Sequence, residues 1–205
     1  MVPVTFYEKG EEWGHGGTKP RIVRIGTHRD GNFRSRISEH FLLDERKMQF
    51  DASRAAPHER SIFRKNLGRA LLNRDLDSYL KVWEIDFTSR QARDKWSYLR
   101  DISKERRIEA EITQILRETL SFRFIVMDSQ AQRMGKTGLE SRLIGSVAQC
   151  EECRPSDSWL GRYSPKPEIR AGKLWLVQHL NSPPLSASDQ KLVIDGIRQT
   201  EAELA

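Results

Sequence analysis

A short β-run that ends in glycine, followed by a helix-spaced Arg and His, constrains this chain more than any other feature. In Arg21-Ile22-Val23-Arg24-Ile25-Gly26-Thr27-His28, Arg21, Val23 and Ile25 alternate with Ile22 and Arg24, the period of two that a strand imposes. After a turn at Asp30-Gly31-Asn32, Phe33, Ile37 and Phe41 recur at helical spacing. On such a helix Arg36 and His40 lie one turn apart and share a face. About a hundred residues later, Leu139-Glu140-Ser141-Arg142-Leu143-Ile144 opens a second amphipathic helix with Glu140 in its first turn. A strand feeding an Arg- and His-bearing helix, with a lone carboxylate on a second helix, suits a small metal-dependent phosphodiesterase.

The rest of the chain predicts an α/β (α+β) fold in which helices flank a small antiparallel sheet. Val2 to Tyr7 is β-prone and closes at Lys9-Gly10, so it pairs with the second strand, and the glycine-rich Glu11 to Pro20 forms the loop between them. Leu43 to Pro57 is polar and irregular. Ser61 to Leu72 is a helix with Ile62, Phe63, Leu67, Ala70 and Leu71 on one face and Arg60, Arg64, Lys65 and Arg69 on the other. Tyr79 to Trp96 shows no clear period. Lys104 to Glu118 is a charged helix that turns Ile108, Ile112, Ile115 and Leu116 inward, and Phe122 to Met127 reads as a buried strand. A loop from Ser129 to Gly138 leads into the Leu139 to Gln149 helix. The proline-rich tail wraps with one strand at Leu174 to Val177. It closes on a helix from Ser188 to Leu204, with Leu192, Ile197 and Leu204 on one side. The expected organisation is a core over 1–150 with a helical insertion at about 60–118, and a wrap over 151–205 packed on the same domain.

Lys and Arg number 35 against 29 Asp and Glu, a net charge of +6 in 205 residues. An excess of this sign favours a polyanionic partner, because cations on one face release counterions from phosphates. The face of Arg60, Arg64, Lys65 and Arg69 is the candidate DNA-backbone contact; a solvated helix face is the alternative. Cys150 and Cys153 are too few for a disulfide scaffold and point to a reducing compartment. Their CxxC spacing gives half of a zinc site, but no HxxxH-type pair supplies the rest, so two unconnected thiols are expected. Gly135-Lys136-Thr137 imitates a phosphate loop, yet Gln130 stands where its turn glycine is required. The five tryptophans read as core or loop anchors. No apolar stretch reaches membrane-spanning length, and a cytoplasmic protein is expected.

Cleaving a phosphodiester requires neutralised charge at phosphorus, an oriented water and help for the leaving oxygen. One hard cation on a carboxylate, together with an Arg, supplies most of this. Glu140 is the candidate metal ligand; the alternative is a first-turn Glu favoured by the helix dipole. Arg36 is a candidate bidentate phosphate grip and His40 a proton carrier. The alternative is an exposed Arg and a partly buried His one turn apart.

The order strand, strand, Arg-helix, later strand, Glu-helix resembles the core of the GIY-YIG nuclease superfamily from about Val2 to Gln149. It is similar in particular to a bacterial GIY-YIG-like branch. That branch has an "RVVRVGTH" strand, a helical Arg-x-x-x-His, a "HRGSIFR" helix and a "SWLGRYS…LW" tail. The matching text here is Arg21 to His28, Arg36 to His40, His58 to Arg64, and Trp159 to Ser164 with Leu174-Trp175. The resemblance implies a GIY-YIG-type endonuclease that cleaves DNA, duplex in the first instance, with Mg²⁺ or Mn²⁺ on Glu140.

The chain departs from the family at both motif tyrosines. Thr5 stands at the first, with Tyr7 two residues on as a substitute, and Arg24 stands at the second, where it can hold phosphate. The asparagine that usually follows the Glu-helix is absent, with Gln149 nearby, and His28 or His40 can serve as base. A catalytically inactive DNA-binding module that retains the fold is the alternative, and a protein-interaction domain a third.

Overall fold

Strand β1 (Pro3–Trp13) and strand β2 (Gly17–Thr27) pair antiparallel, and β3 (Leu120–Phe124) adds antiparallel to the other side of β1, giving the order β2-β1-β3. The computed structural model describes residues 3–13, 17–28, 32–127 and 129–205, and the backbone alone at 3–13, 17–20, 130 and 131. Burial alternates along β2 as its sequence predicts, with Arg21, Val23 and Ile25 buried between partly exposed Ile22, Arg24 and Gly26. On β1, Thr5 lies opposite Ile25 and Arg123, and Tyr7 opposite Ile22 and Ser121, with a register shift between Phe6 and Tyr7. The strands run beyond Lys9-Gly10 into the expected loop: Glu12 pairs with Pro20 and Trp13 with Gly17. Ladder pairing overrides the turn preference of Gly and Pro, and Pro20 is tolerated because β2 is an edge strand. The centre of that loop, 14–16, and the turn residues Asp30 and Gly31 lie outside the described residues. The mixed α+β class matches the expectation.

The chain divides into two compact units. A helical unit holds Ser35–Thr119 and Leu160–Pro167; a sheet unit holds Met1–Arg34, Leu120–Trp159 and Glu168–Ala205. Helix α1 (Phe33–Phe41) carries the chain across the division. In the helical unit, a 3-10 turn at Glu45–Met48 is capped by Asp44, followed by α2 (Pro57–Arg60) and α3 (Ile62–Arg74). Ser61 separates these two helices and caps α3 by accepting from the Arg64 amide at 3.2 Å. The aperiodic Tyr79 to Trp96 contains two short helices, α4 (Leu80–Trp83) and α5 (Arg90–Trp96). Trp83 lies so close to α3 that a Cβ on Gly68 would overlap its indole ring, which is why a helix-weakening glycine sits there. Helix α6 (Ile102–Thr119) buries Ile108, Ile112 and Leu116 as expected, leaves Ile115 partly exposed, and also buries Glu105 and Glu109.

In the sheet unit, the segment expected as a buried strand over Phe122 to Met127 is instead the short β3, mostly half-exposed because it forms a sheet edge. Helix α7 (Gln130–Arg133) occupies part of the expected loop, and α8 (Leu139–Ala148) packs on β2. Ile25, Ile144 and Leu174 form the core of that contact, flanked by Ile22, Leu143 and Val147. After α9 (Pro167–Gly172), the strand expected at Leu174 to Val177 does not form. One backbone bond docks the segment, from Trp175 N to Val23 O at 2.8 Å. Arginine side chains add to it and to the packing of Leu174, Arg21 donating to Lys173 O at 2.7 Å and Arg24 to Trp175 O at 2.9 Å. The last helix, α10 (Ala187–Leu204), starts from a Ser186/Asp189 capping box. Its inward face is not the predicted one. Ile197 and Leu204 are 41% and 69% exposed, while Gly196 and Thr200 are buried. Gly196 lets the helix close on Ile125, and Thr200 Oγ1 accepts from Val126 N at 2.7 Å.

Candidate active site and the basic helix

Glu140 occupies the first turn of α8, after the Gly138 N-cap, and is half-buried. Its Oε1 accepts from Thr27 N at 3.1 Å and its Oε2 from Thr27 Oγ1 at 2.6 Å. Packing of Ile144 on Ile25 aligns helix and strand so that the end of β2 meets the start of α8. A carboxylate offers about four lone-pair positions, so two stay available beside the threonine. Arg24 sits three residues before Thr27 on the same strand, with its guanidinium reaching Trp175 O. Tyr7 lies on β1, and its side chain is outside what the structure describes.

Arg36 and His40 belong to the helical unit and do share a face of α1, as their spacing predicts. Arg36 Nη1 donates to Glu39 Oε2 at 2.5 Å and to Arg60 O at 3.3 Å, and its side chain stays 37% exposed. His40 is buried, its Nδ1 sharing a 2.7 Å hydrogen bond with Ser61 Oγ and its ring edge-on to Phe63. The two side chains thus reach adjacent residues at the α2–α3 junction. Glu140 meets Thr27 in the sheet unit, where Arg24 stands on the same strand and points to its other face; Arg36 and His40 lie in the helical unit.

The expected DNA-binding face of Arg60, Arg64, Lys65 and Arg69 requires correction. Arg60 is exposed, but Arg64, Lys65 and Arg69 are buried, at 0%, 8% and 8% exposure. Arg64 Nη2 pairs with Glu109 Oε2 at 2.5 Å, Lys65 with Glu59 at 3.5 Å, and Arg69 with Glu84 at 2.6 Å. Helix α3 is surrounded by α6, α4 and the 160–163 turn, so its polar face meets protein carboxylates instead of water. These three cations are structural.

Around them lies a buried ionic network that the periodicity of α3 does not reveal. Glu109 accepts from Arg64 on Oε2 and from His58, through N at 2.6 Å and Nδ1 at 2.9 Å, on Oε1. His58 Nε2 lies 3.0 Å from Glu59 Oε1, and its ring stacks on Trp83 at 3.7 Å. Burial alone would lower the His58 pKa, but hydrogen bonds to Glu109 and Glu59 outweigh it and raise it above the usual histidine value. Burial likewise opposes ionisation of Glu109, yet His58 and Arg64 hold its pKa below the usual carboxylate range. A second pair joins Arg100 to Glu105 at 2.5 Å, and burial with Glu105 beside it drives the Tyr79 phenol far upward. One sequence signal was available: Glu105 and Glu109 stand in phase with Ile108, Ile112 and Leu116 on the inward stripe of α6.

Residues 4–200 match the family described as GIY-YIG domain. The match spans nearly the whole chain, and the protein belongs to the GIY-YIG family. No curated protein and no solved structure matches it. Among the described residues, no helix is long and apolar enough to cross a membrane. Cys150 and Cys153 are not disulfide-bonded.

Proposed function

We propose that the protein is a cytoplasmic, divalent-metal-dependent endonuclease of GIY-YIG type that hydrolyses phosphodiester bonds in duplex DNA. The observation that carries this reading is the Glu140 carboxylate, fixed through both oxygens by Thr27 on the strand that bears Arg24. Among the described residues no group of three or more His, Cys, Asp or Glu side chains could hold a metal ion. Glu140 would be the one described protein carboxylate to hold a divalent cation, a donor set that suits Mg²⁺ or Mn²⁺. The cation would supply charge neutralisation at phosphorus. Either Arg24, on the strand that carries Thr27, or Arg36 of the helical unit would hold the phosphate. Tyr7 or His40 moves the proton, and the burial of His40 against Ser61 favours Tyr7, with His40 as a positioning residue.

Glu140→Gln keeps the side-chain volume but removes the charge a hard cation needs. The variant is expected to lose Mg²⁺-dependent nicking of supercoiled plasmid by about 10²-fold or more, while DNA binding in chelator stays near wild type. Equal nicking by variant and wild type would remove Glu140 from the mechanism. The second reading, a catalytically inactive DNA-binding module, is favoured by Thr5 and Arg24 at the family's tyrosine positions. It stands if wild-type protein binds DNA but cuts none with either cation.

A further inference from the structure

Within the helical unit, a concavity of about 720 Å³ opens between the 3-10 turn, the start of α2 and Arg93 of α5. Five cations line it, Arg46, Lys47, Arg54, Arg60 and Arg93, against one carboxylate, Asp44. Asp44 is already bound by Arg46, at 2.9 and 3.2 Å. Arg93 Nη1 is held by the carbonyls of Phe87 and Thr88 at 2.8 and 2.7 Å, which fixes a guanidinium without neutralising it. Lys47, Arg54 and Arg60 are not ion-paired with any described carboxylate.

This differs from the treatment of buried cations elsewhere in the same unit. Arg64, Lys65, Arg69 and Arg100 each have a carboxylate within 3.5 Å. Around the concavity, unpaired positive charges instead converge over an apolar floor that includes Phe50 and Pro57. Like charges on one concave surface repel, and their field concentrates an anion there. The volume exceeds that needed by a single inorganic phosphate and lies in the range of nucleotide-sized ligands.

We propose that this concavity binds consecutive phosphates of a nucleic-acid backbone, through residues other than those of the proposed active site. The choice of nucleic acid rests on the nuclease reading above; the test does not, because it measures binding without metal or cleavage. Full-length protein in chelator would be titrated against a fluorescein-labelled duplex, comparing wild type with Lys47→Ala/Arg54→Ala/Arg60→Ala. A control, Lys81→Ala/Arg90→Ala/Arg107→Ala, removes the same charge from exposed positions of the same unit outside the concavity. The three concavity side chains are not ion-paired, and in the control only Arg90 has a described partner, the exposed Asp94 at 3.6 Å, so both variants are expected to melt with wild type.

At about 0.1 M salt the concavity variant should bind at least ~10-fold more weakly, and its log–log salt slope should fall by about 2–3, since each duplex phosphate contact contributes about 0.9. The control should change affinity less than about twofold by the same criterion. Equal losses in both variants would reduce the effect to net charge and overturn the proposal, as would no loss in either. Competition by adenosine monophosphate separates the two sources of the phosphate. If the concavity variant loses mononucleotide binding but retains duplex affinity, the site takes free nucleotides and the backbone proposal fails.

Discussion

The two units close their interiors in opposite ways. Around α8 and β2 the contact is aliphatic, with Ile25, Ile144 and Leu174 at its centre. Around α3 and α6 it is ionic as well, with Arg64, His58 and Glu109 buried among Phe63, Leu67 and Ile112. Aliphatic packing is non-directional and tolerates exchange of side chains of similar volume. A buried ion pair has desolvation costs that rival its attraction, so it contributes little net stability while intact and exacts a large penalty when one partner is lost. The α8–β2 contact depends on volume; the α3–α6 contact depends on every partner being present.

The largest effect should therefore come from Glu109→Ala, which strands Arg64 and His58 without their shared carboxylate. A loss of about 3–5 kcal/mol is expected for one partner of a buried pair, read as a drop in the denaturant midpoint. Ile144→Val removes one methylene from the aliphatic contact and should cost only about 0.5–1.5 kcal/mol. If the valine variant proves as damaging as the alanine one, the contrast between the two interiors is wrong.

The smallest effect is a pH dependence. His58, with its folded pKa raised above 6.5, stabilises fully below about that value and loses its contribution as pH rises through the folded pKa. Glu109, with its folded pKa lowered below 4.5, stabilises above about that value and loses its contribution as pH falls through the folded pKa. The midpoint difference between wild type and His58→Gln should accordingly be larger at about pH 6 than at about pH 9. The difference between wild type and Ile144→Val should be the same at both. A pH-independent His58→Gln effect would mean that the imidazole acts by stacking on Trp83 alone.

The same contrast explains what could be read from the sequence. Strand β2 and helices α1, α6 and α8 were legible because apolar residues at fixed spacing must face a core. The extent of α3 was nearly legible too, expected over Ser61 to Leu72 and found over Ile62–Arg74. Its surroundings were not. Periodicity assigned Arg64, Lys65 and Arg69 to solvent, because charge normally follows water. Their carboxylates, Glu109, Glu59 and Glu84, stand at other places in the chain, and nothing local ties them to α3. Helix α10 failed for a different reason: close approach at Gly196 outweighed the aliphatic stripe of Leu192, Ile197 and Leu204. Glu140 stood out as a residue, but its partner Thr27 is 113 positions away, and only folding joins them.

The way the tail lies on β2 bears on what the edge of the sheet offers to another chain. An edge strand presents unpaired amides and carbonyls that another chain can extend into a continuous sheet. Here the Val23 carbonyl is taken by Trp175 N, and Arg21 and Arg24 reach across to the carbonyls of Lys173 and Trp175. The covering segment is not itself a strand, so it shields the edge without offering a fresh ladder beyond it. Around Val23 a templating strand would have to displace a loop and two guanidinium groups.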